Sequence, residues 1–470
     1  MLNRPQRPGA TDPPRLQATG AEAGAARLVP MTPSLASALP PTQLPDLRTR
    51  VPGPQSLALA TRLAAVESRN VTALVNPGPI FWQRAKGANI WDADGNCFVD
   101  LTGAFGVANV GHGHPEVVAA VARQAETLLH AMGDVHPPVV KVELLEALAA
   151  HFPGKEPARA VLGSSGSDAV ESAIKTAQLA TGRAGLLAFE GGYHGLALGA
   201  LDATARRDFR DPFAARLPGA TIFARFGDLG DVEKCVAEAE TGDQPLGAIL
   251  VEPVQGRGGE RVAPPGFLSS LRTLCDAHGL LLIADEIYTG FGRTGRWWAC
   301  DHEAVVPDLI CLGKGLASGM PISACVGRET IMAAWPKSTG EALHTQTFLG
   351  HPPGCAAALA SMAVLERDGL VARSAELGQG ALDRLRKALT ARAHVTDVRG
   401  LGLMLGIEFA SGHHCAAAVA RCLENGIIVL PSGPGGCVLS ITPPLSIDPP
   451  ALTHALGVVI KASEQTGNPA

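Results

Sequence analysis

The stretch Leu280–Gly319 reads LLLIADEIYTGFGRTGRWWACDHEAVVPDLICLGKGLASG and decides the fold. It contains two short apolar runs, 280–284 and 309–312, and polar residues follow each run at once. Apolar runs of this length are typical of strands that are buried on both faces of a parallel sheet. In such sheets, ligands bind beyond the carboxyl ends of the strands. Because Asp285 follows the first run and Lys314 the second, we expect a carboxylate and an amine to project into one crevice.

This pair has a specific chemical use. A lysine amine can form a Schiff base with the aldehyde of pyridoxal phosphate, and a nearby aspartate can keep the pyridine nitrogen of that cofactor protonated. A lone lysine between two glycines is, however, usually a solvated loop residue, and a lone aspartate after a strand is usually a turn residue. The interpretation therefore requires a phosphate site and a ring-stacking side chain elsewhere in the chain.

The composition excludes several other classes of protein. The chain has 470 residues with 18% charged side chains, and its net charge of −5 gives no sign of a nucleic-acid or membrane partner. The ten cysteines form no CxxC pair, which predicts no metal site and favours a reducing, cytoplasmic location. No apolar run approaches the roughly 18 residues that span a bilayer. Residues 1–50 hold nine prolines and no aromatic residue, and we interpret them as a disordered extension.

A second informative stretch, VLGSSGSDAVESAIK, begins at Val161. It predicts a strand end, a turn of small residues and a helix at whose start Asp168 and Glu171 have the spacing of a cap. The amide groups and the dipole at a helix N-terminus attract anions. Ser165, Gly166 and Ser167 are therefore the predicted phosphate-binding residues, although an ordinary capped helix has a similar sequence.

Two further segments place polar or aromatic residues near the same sheet edge. In FEGGYHG, which ends at Gly195, Tyr193 and His194 follow a predicted strand, so the tyrosine could stack on a flat cofactor ring. Glu252 ends another buried strand, residues 247–251. The isolated aromatic residues of the N-terminal region, Trp82 and Phe105, are either core residues or lie at the mouth of the pocket.

Alternating strands and helices predict an α/β fold with a mostly parallel, doubly wound sheet. We expect the large domain to comprise residues 106–365. A smaller α+β domain then combines residues 51–105, which include a hairpin turning at Asp94–Gly95, with residues 366–470.

Together these motifs resemble one family. Five motifs are spread across nearly the whole globular part of the chain, and their order along it is SSGSDAVESAIK, GYHG, IADEIYTGFGRTG, LGKGLASGMPISA and RGLGLMLGIEF. They resemble the class III (ω-type) aminotransferases of pyridoxal-phosphate fold type I. The resemblance implies a seven-stranded large domain, a small domain built from both chain ends, and a homodimer with its active sites at the subunit interface.

The resemblance also implies roles for individual residues. Lys314 is similar to the lysine that forms the Schiff base, and Asp285 to the partner of the pyridine nitrogen. Tyr193 would stack on the ring beside His194. Thr347 matches a threonine that reaches the phosphate from the partner subunit, and this assignment rests on the resemblance alone. Glu252 and Tyr288 are also predicted to bind the cofactor. They complete the set that begins with Ser165, Gly166 and Ser167.

The departures from the family pattern concern the substrate. Tyr288 stands where the family usually has glutamine, and Leu196 where aminobutyrate-type enzymes have arginine. Arg257 replaces a glutamate, and Ser440 replaces an arginine that commonly binds the α-carboxylate of the substrate. We therefore expect Arg257 and Ser440 to contact the substrate, and we add the two N-terminal aromatic residues to this predicted set, Trp82 and Phe105.

The chain is accordingly predicted to move an amino group from an amino acid or amine to a keto acid or aldehyde, through a Schiff base at Lys314. One alternative is an amino-acid racemase, epimerase or aminomutase, which uses the same scaffold but returns the proton to the substrate. A second alternative is a catalytically inactive cofactor-binding or assembly protein, against which the presence of both Lys314 and Asp285 argues. The amino donor, the acceptor and the preferred enantiomer do not follow from the sequence.

Overall fold

The computed structural model describes residues 41–74 and 78–467. Its strands, in chain order, are β1 (Trp82–Lys86), β2 (Asn89–Asp92), β3 (Cys97–Asp100), β4 (Ala158–Gly163), β5 (Gly185–Phe189), β6 (Thr221–Ala224), β7 (Leu246–Val251), β8 (Val254–Gln255), β9 (Arg261–Val262), β10 (Leu281–Asp285), β11 (Leu309–Leu312), β12 (Ser323–Arg328), β13 (Val395–Leu401), β14 (Met404–Phe409), β15 (Ile427–Ile428), β16 (Leu430–Ser432) and β17 (Val438–Ile441).

The α-helices of the described residues are α1 (Pro54–Val66), α2 (Gly103–Gly106), α3 (Pro115–Thr127), α4 (Val139–Ala150), α5 (Gly166–Thr181), α6 (Leu198–Ala203), α7 (Arg207–Arg210), α8 (Leu229–Glu240), α9 (Phe267–His278), α10 (Glu329–Met332), α11 (Pro352–Arg367), α12 (Leu370–Leu389), α13 (Gly412–Glu424) and α14 (Pro449–Glu464). None of these helices is both long enough and apolar enough to cross a membrane.

The large sheet has seven strands in the order β4-β12-β11-β10-β7-β5-β6. The five strands from β11 to β6 are paired in parallel, whereas β12 runs antiparallel to both of its neighbours. The predicted mostly parallel α/β sheet is thereby confirmed, with one reversed strand. That strand is inserted between β11 and β4, so the first strand of the sheet lies at an edge.

Burial on both faces explains why the central strands are apolar throughout. Along β10, Leu282 and Ala284 belong to one hydrophobic cluster, whereas Leu281 and Ile283 belong to the cluster on the other face. Every residue of β10 is buried. Successive side chains of a strand point to opposite faces, so a strand that is covered on both sides requires an uninterrupted apolar run. The polar residue that ends the run marks the edge of the sheet.

Two smaller sheets lie outside this layer. One has the order β1-β2-β3-β15 and the other β13-β14-β17-β16. The predicted N-terminal hairpin is formed by β2 and β3, and β3 also pairs in parallel with β15 through Val99 and Ile427. A strand from the N-terminal part of the chain thus lies beside one from the C-terminal part. The domain boundaries themselves stay a prediction.

The end of the predicted disordered extension is corrected by the structure. The amide of Asp46 donates to the carbonyl of Cys97 at 3.0 Å, and the amide of Cys97 donates back to Asp46 at 2.8 Å. The side chain of Asn96 also accepts hydrogen bonds from the amides of Arg48 and Thr49. Residues 46–49 therefore lie beside β3 and the residue that precedes it, and residues 1–40 are outside the described ranges.

Candidate active site

A cavity of about 220 Å³ lies beyond the carboxyl ends of β4, β5, β7, β10 and β11. Its walls include most of the residues predicted to bind a cofactor, namely Ser165, Gly166, Ser167, Tyr193, His194, Glu252, Asp285, Tyr288 and Lys314. Arg257 lines the same cavity. The sequence interpretation of two polar residues that follow neighbouring parallel strands is confirmed in its geometry, because Asp285 and Lys314 face one crevice.

Asp285 and His194 form a buried pair at the base of the cavity. The Nδ1 atom of His194 lies 2.7 Å from Oδ2 of Asp285, and each residue is 3% exposed. The other carboxylate oxygen accepts the amide of Ile287 at 3.1 Å. Burial alone would lower the pKa of His194, but the hydrogen bond and the negative charge of Asp285 raise it above its ordinary value. Both partners are consequently held in one orientation.

Lys314 follows β11 with a backbone φ of 33°, a left-handed conformation that is strained for a residue with a side chain. Its Nζ atom lies 4.3 Å from the ring centroid of Tyr288. Burial lowers the pKa of the amine, although the charges of Asp285 and Glu252 oppose this shift. A lowered pKa increases the fraction of neutral amine, which is the form that acts as a nucleophile or base.

The N-terminus of α5 forms an anion-binding corner. Ser165 caps the helix: its hydroxyl accepts the amide of Asp168 at 3.3 Å, while the Asp168 carboxylate accepts the amide of Ser165 at 3.0 Å. A Cβ atom on Gly166 would lie 3.1 Å from the side chain of Ile287, so only glycine leaves the space at this corner unchanged. The free amides and the dipole of this 16-residue helix point into the cavity.

Glu252 supports the segment that carries the tyrosine. It accepts the amide of Tyr193 at 3.0 Å through one oxygen and the amide of Gly256 at 2.9 Å through the other. Burial raises the pKa of this carboxyl, and the nearby charge of Asp285 adds to the effect. Glu252 therefore connects the loop that follows β5 with the loop that follows β8.

Three side chains of the cavity each offer one atom of a kind that can bind a metal ion, and these atoms lie within 4.8 Å of one another; the residues are His194, Glu252 and Asp285. Each of these side chains is also engaged by hydrogen bonds within the chain. The arrangement is explained by those bonds, and the expectation of no metal site stays a prediction.

Arg257 is the second cation of the cavity. Its Cζ atom lies 5.2 Å from the ring centroid of Tyr193 and 5.9 Å from that of Phe209. Its Nε atom is buried, and no residue of the described ranges accepts a hydrogen bond from it. The guanidinium group is thus directed by aromatic faces and keeps donor capacity for another partner.

Four predicted site residues are not among those that line the cavity within one subunit. Trp82 and Phe105 are 43% and 53% exposed, so the expectation that they are core residues is wrong. Thr347 is also exposed. Ser440 is 7% exposed, and its hydroxyl donates to Oε1 of Glu260 at 2.6 Å. The hydroxyl of Ser440 is therefore engaged by a neighbouring carboxylate, and Ser440 is not among the residues that line the cavity.

Sequence analysis missed two residues of this region. Phe209 packs edge-on against Tyr193, with 5.8 Å between the ring centroids. Glu260 is 1% exposed and accepts hydrogen bonds from Ser432 and Ser440. The only sequence signal for Glu260 was a second charged residue three positions after Arg257 in a glycine-rich loop, and Phe209 gave no signal because its contacts are long-range.

Comparison with known proteins places the chain in a family. Residues 71–462 match the profile of the class-III aminotransferases. The acetylornithine aminotransferase of Methanopyrus kandleri is 37% identical over 389 residues, which are 83% of this chain and 95% of the relative. A 4-aminobutyrate aminotransferase of Mycobacterium leprae is 36% identical, with 88% and 97% covered. The solved ornithine aminotransferase of Toxoplasma gondii aligns with a TM-score of 0.79 at 30% identity and covers 87% of this chain and 94% of that structure.

The cavity fits the cofactor of this family. The glycine-containing corner at α5 suits a phosphate group, the Asp285–His194 pair suits a protonated pyridine nitrogen, and the amine of Lys314 suits an aldehyde. These three features lie in one cavity, beyond the carboxyl ends of neighbouring strands. This chain is a member of the class III aminotransferases and is a pyridoxal-phosphate-dependent enzyme.

Proposed function

We propose that the enzyme transfers the amino group of a carboxylate-bearing amino donor to a keto acid or aldehyde, and that Arg257 binds the carboxylate. The observation that carries this proposal is the buried Nε atom of Arg257, which has no acceptor within the described residues. A carboxylate in a partly dry pocket requires a cationic partner, and a guanidinium offers two parallel donors to it. The relatives named for acetylornithine and 4-aminobutyrate act on molecules that carry such a group.

Lys314 is proposed to move the proton in the reaction. When bound, pyridoxal phosphate supplies an electron sink for the substrate carbon that loses its proton. Lys314 lines the same cavity as Arg257, and burial lowers the pKa of its amine, which increases the fraction of neutral amine that can accept a proton. Lys314 would remove the proton at the amino-bearing carbon and deliver it to the carbon that becomes aminated.

Asp285 and His194 are proposed to stabilise the positive charge on the ring nitrogen of the cofactor. The carboxylate is fixed by two hydrogen bonds, from His194 at 2.7 Å and from the amide of Ile287 at 3.1 Å. A carboxylate held in this way can keep a ring nitrogen cationic without reorienting during the reaction. The remaining residues of the cofactor set then bind the phosphate group and the face of the ring, namely Ser165, Gly166, Ser167, Tyr193, Glu252 and Tyr288.

Arg257→Ala tests the carboxylate assignment. We expect a loss of roughly 2–4 kcal/mol in kcat/KM for carboxylate-bearing donors, because the anion would lose its cationic partner. Simple amines of similar size should be affected little. Steady-state kinetics with matched pairs of donors, with and without the carboxylate, measure this difference.

A control for that experiment is Arg207→Ala. Arg207 is an exposed arginine of α7 that pairs with Asp211 and does not line the cavity. This variant should retain the wild-type ratio between the two donor classes. An Arg257→Ala enzyme that loses the same factor for both classes, or for neither, would contradict the proposed anchor.

We also propose that the enzyme is a homodimer whose sites are completed by Thr347 of the second subunit. Support comes from a patch of exposed apolar side chains around this residue. The segments 128–142 and 343–348 are joined by a contact between the rings of His130 and Phe348, at 5.2 Å, and by a hydrogen bond from Thr345 to Asp134. The patch consists of Leu128, Leu129, Met132, Val135, Val139, Val142, Leu343 and Phe348. An apolar surface of this kind on a water-soluble chain favours association.

Subunit complementation tests the shared site. Lys314→Ala and Thr347→Ala protomers, each weakened alone at limiting cofactor, are dissociated and mixed. If Thr347 serves the neighbouring subunit, one of the two sites in each heterodimer carries neither lesion, and part of the activity returns.

The matched control combines Lys314→Ala with Asp285→Asn, because both residues line the cavity of the same subunit. Every hybrid site then carries one lesion, and no activity should return. Verified heterodimers of the first pair that stay inactive would assign Thr347 to its own subunit.

A cytoplasmic location is proposed as well. All ten cysteines are free, and eight of them are buried. Unpaired cysteines in this number are typical of proteins kept in a reducing compartment. Subcellular fractionation with detection of the enzyme measures this, and recovery outside the cytoplasmic fraction would contradict it.

A further inference from the structure

A second concave site lies between helices α12, α13 and α14, and it shares no lining residue with the active site. This groove has a volume of about 680 Å³, which is within the range of roughly 300–1,000 Å³ found for small-molecule sites. Each of the three helices contributes a cationic side chain to it, Arg384 from α12, Arg421 from α13 and Lys461 from α14. His454 of α14 adds a fourth nitrogen-bearing side chain.

The positive charge of this groove is not balanced by carboxylates. No acidic residue is among the described residues that line it, and none of Arg384, Arg421 and Lys461 forms an ion pair there. Arg392, which does not line the groove, is in contrast paired with Glu464. A local excess of three positive charges is notable in a chain whose net charge is −5.

The stretches outside the described ranges do not supply a surplus of negative side chains. Residues 1–40 contain four arginines, one aspartate and one glutamate, and residues 75–77 and 468–470 contain no acidic side chain. The side chains of those stretches therefore carry no net negative charge.

One of the two guanidinium groups of the groove is fixed by a hydrogen bond, and the other has a donor without an acceptor. Nη1 of Arg384 donates to the carbonyl oxygen of Thr453 at 2.6 Å, which fixes this side chain across the gap between α12 and α14. Nη1 of Arg421 is buried, and nothing in the described ranges accepts its hydrogen bond. This guanidinium group therefore keeps hydrogen-bonding capacity that the described residues do not use.

We propose that this groove binds a small molecule that carries a phosphate or oligophosphate group. Two guanidinium groups and an ammonium group from three separate helices surround one space, and planar guanidinium groups match phosphate oxygens with pairs of hydrogen bonds. The groove is larger than the active-site cavity, so it accommodates an organic or oligomeric phosphate in addition to a single phosphate ion.

Isothermal titration calorimetry with inorganic pyrophosphate tests the proposal on the enzyme saturated with pyridoxal phosphate, at about 0.15 M salt. Cofactor saturation prevents the probe from entering the phosphate corner of the active site. The wild-type enzyme should bind one pyrophosphate per subunit. The double variant Arg384→Gln/Arg421→Gln should weaken binding at least tenfold, which is about 1.4 kcal/mol. Lys461→Gln, a change at an exposed position, provides a second variant if the double variant folds poorly, and it should weaken binding several-fold.

Lys387→Gln is the matched control, since Lys387 is an exposed lysine of α12 that does not line the groove. Its affinity for pyrophosphate should equal that of the wild-type enzyme. Three results would overturn the proposal: no saturable binding to the wild-type enzyme at millimolar pyrophosphate, equal weakening by Lys387→Gln, or unchanged binding by the variants of the groove. Citrate separates phosphate from polyanions in general, and citrate that binds as tightly as pyrophosphate would overturn the assignment to phosphate.

Discussion

The two ends of the active-site region treat buried charge differently. At the base, Asp285 is bonded to His194 and to a backbone amide, so each partner is satisfied within the chain. In the loop that follows β8, Arg257 retains a buried donor without an acceptor in the described residues. The nearby Glu260 is a buried carboxyl whose bonds come from two serine hydroxyls.

This difference separates a base with fixed interactions from a loop whose interactions can adapt to the substrate. A satisfied ion pair defines one charge and one orientation, which suits a group that must act on the same cofactor in every turnover. An unsatisfied guanidinium leaves an interaction to be completed by whichever substrate enters. Substitutions at the base should consequently remove activity altogether, whereas those in the loop should change selectivity or stability.

The largest effect is expected for Lys314→Ala, which should abolish turnover while the fold is retained. The substitution removes the amine that is proposed to move the proton. Turnover assays and thermal melting measure the two quantities. Lys314→Arg is the matched control: it keeps a cation but cannot act as a base, and it should be equally inactive. Near-normal turnover of either purified variant would refute the assignment.

Asp285→Asn should lower kcat by several orders of magnitude, because the isosteric amide carries no charge to hold a ring nitrogen cationic. Cofactor affinity should fall less. The neighbouring Glu286→Gln is a control, since Glu286 is buried but does not line the cavity, and its kcat should change little. An Asp285→Asn enzyme that keeps more than about a tenth of the wild-type rate, a loss below ~1.4 kcal/mol, would place the ring partner elsewhere.

Glu260→Gln should remove a pH dependence of stability. Burial raises the pKa of Glu260 from its ordinary 4.5 to about 7, although the hydrogen bonds from Ser440 and Ser432 oppose the shift. Between these two pH values the folded chain binds more protons at this site than the unfolded chain does. The stability contributed at low pH is therefore lost as the pH rises through this window.

At pH 8 the Glu260→Gln enzyme should accordingly be more stable relative to wild type than at pH 4.5, by roughly 1–3 kcal/mol. Denaturant unfolding at both pH values measures the change. If the difference in unfolding free energy between variant and wild type is the same at both pH values, the carboxyl of Glu260 is ionised in the folded enzyme. Glu260 would then not differ in charge from Asp285 at the base of the site.

The smallest effect is expected for Phe209→Leu. The ring of Phe209 lies 5.9 Å from Cζ of Arg257, and loss of one cation–π contact of about 0.5–1 kcal/mol should raise KM for carboxylate donors roughly two- to fivefold. The kcat value should stay close to that of wild type. Phe213→Leu is the control, because Phe213 is 54% exposed in the same segment. A KM that rises equally for simple amines would argue against an effect through Arg257.

The base of the site could be predicted from the sequence because its signals are local. A polar residue at the end of an apolar run marks the carboxyl end of a buried strand, and neighbouring parallel strands bring such residues together. Asp285 and Lys314 are found in one cavity for this reason. The turn of small residues before α5 likewise follows from the sequence, whereas the predicted cap at Asp168 and Glu171 lies one turn too far along the chain, because Ser165 and Asp168 form the capping box.

The loop end could not be predicted in the same way. Ser440 and Glu260 are 180 residues apart, and their hydrogen bond depends on how β17 lies against the glycine-rich loop. No periodicity in the sequence encodes such a contact. The antiparallel insertion of β12 was missed for a similar reason, because a buried strand has the same apolar pattern in either direction.

The parallel pairing of β3 with β15 has a consequence during synthesis of the chain. Val99 leaves the ribosome roughly 330 residues before its partner Ile427 exists. At the usual 5–20 residues per second, the edge of β3 stays without this partner for about 20 to 60 s. Throughout that time the N-terminal hairpin presents an open strand edge, on which other nascent chains can pair. Completion of this sheet is thus a late event relative to the synthesis of the N-terminal hairpin.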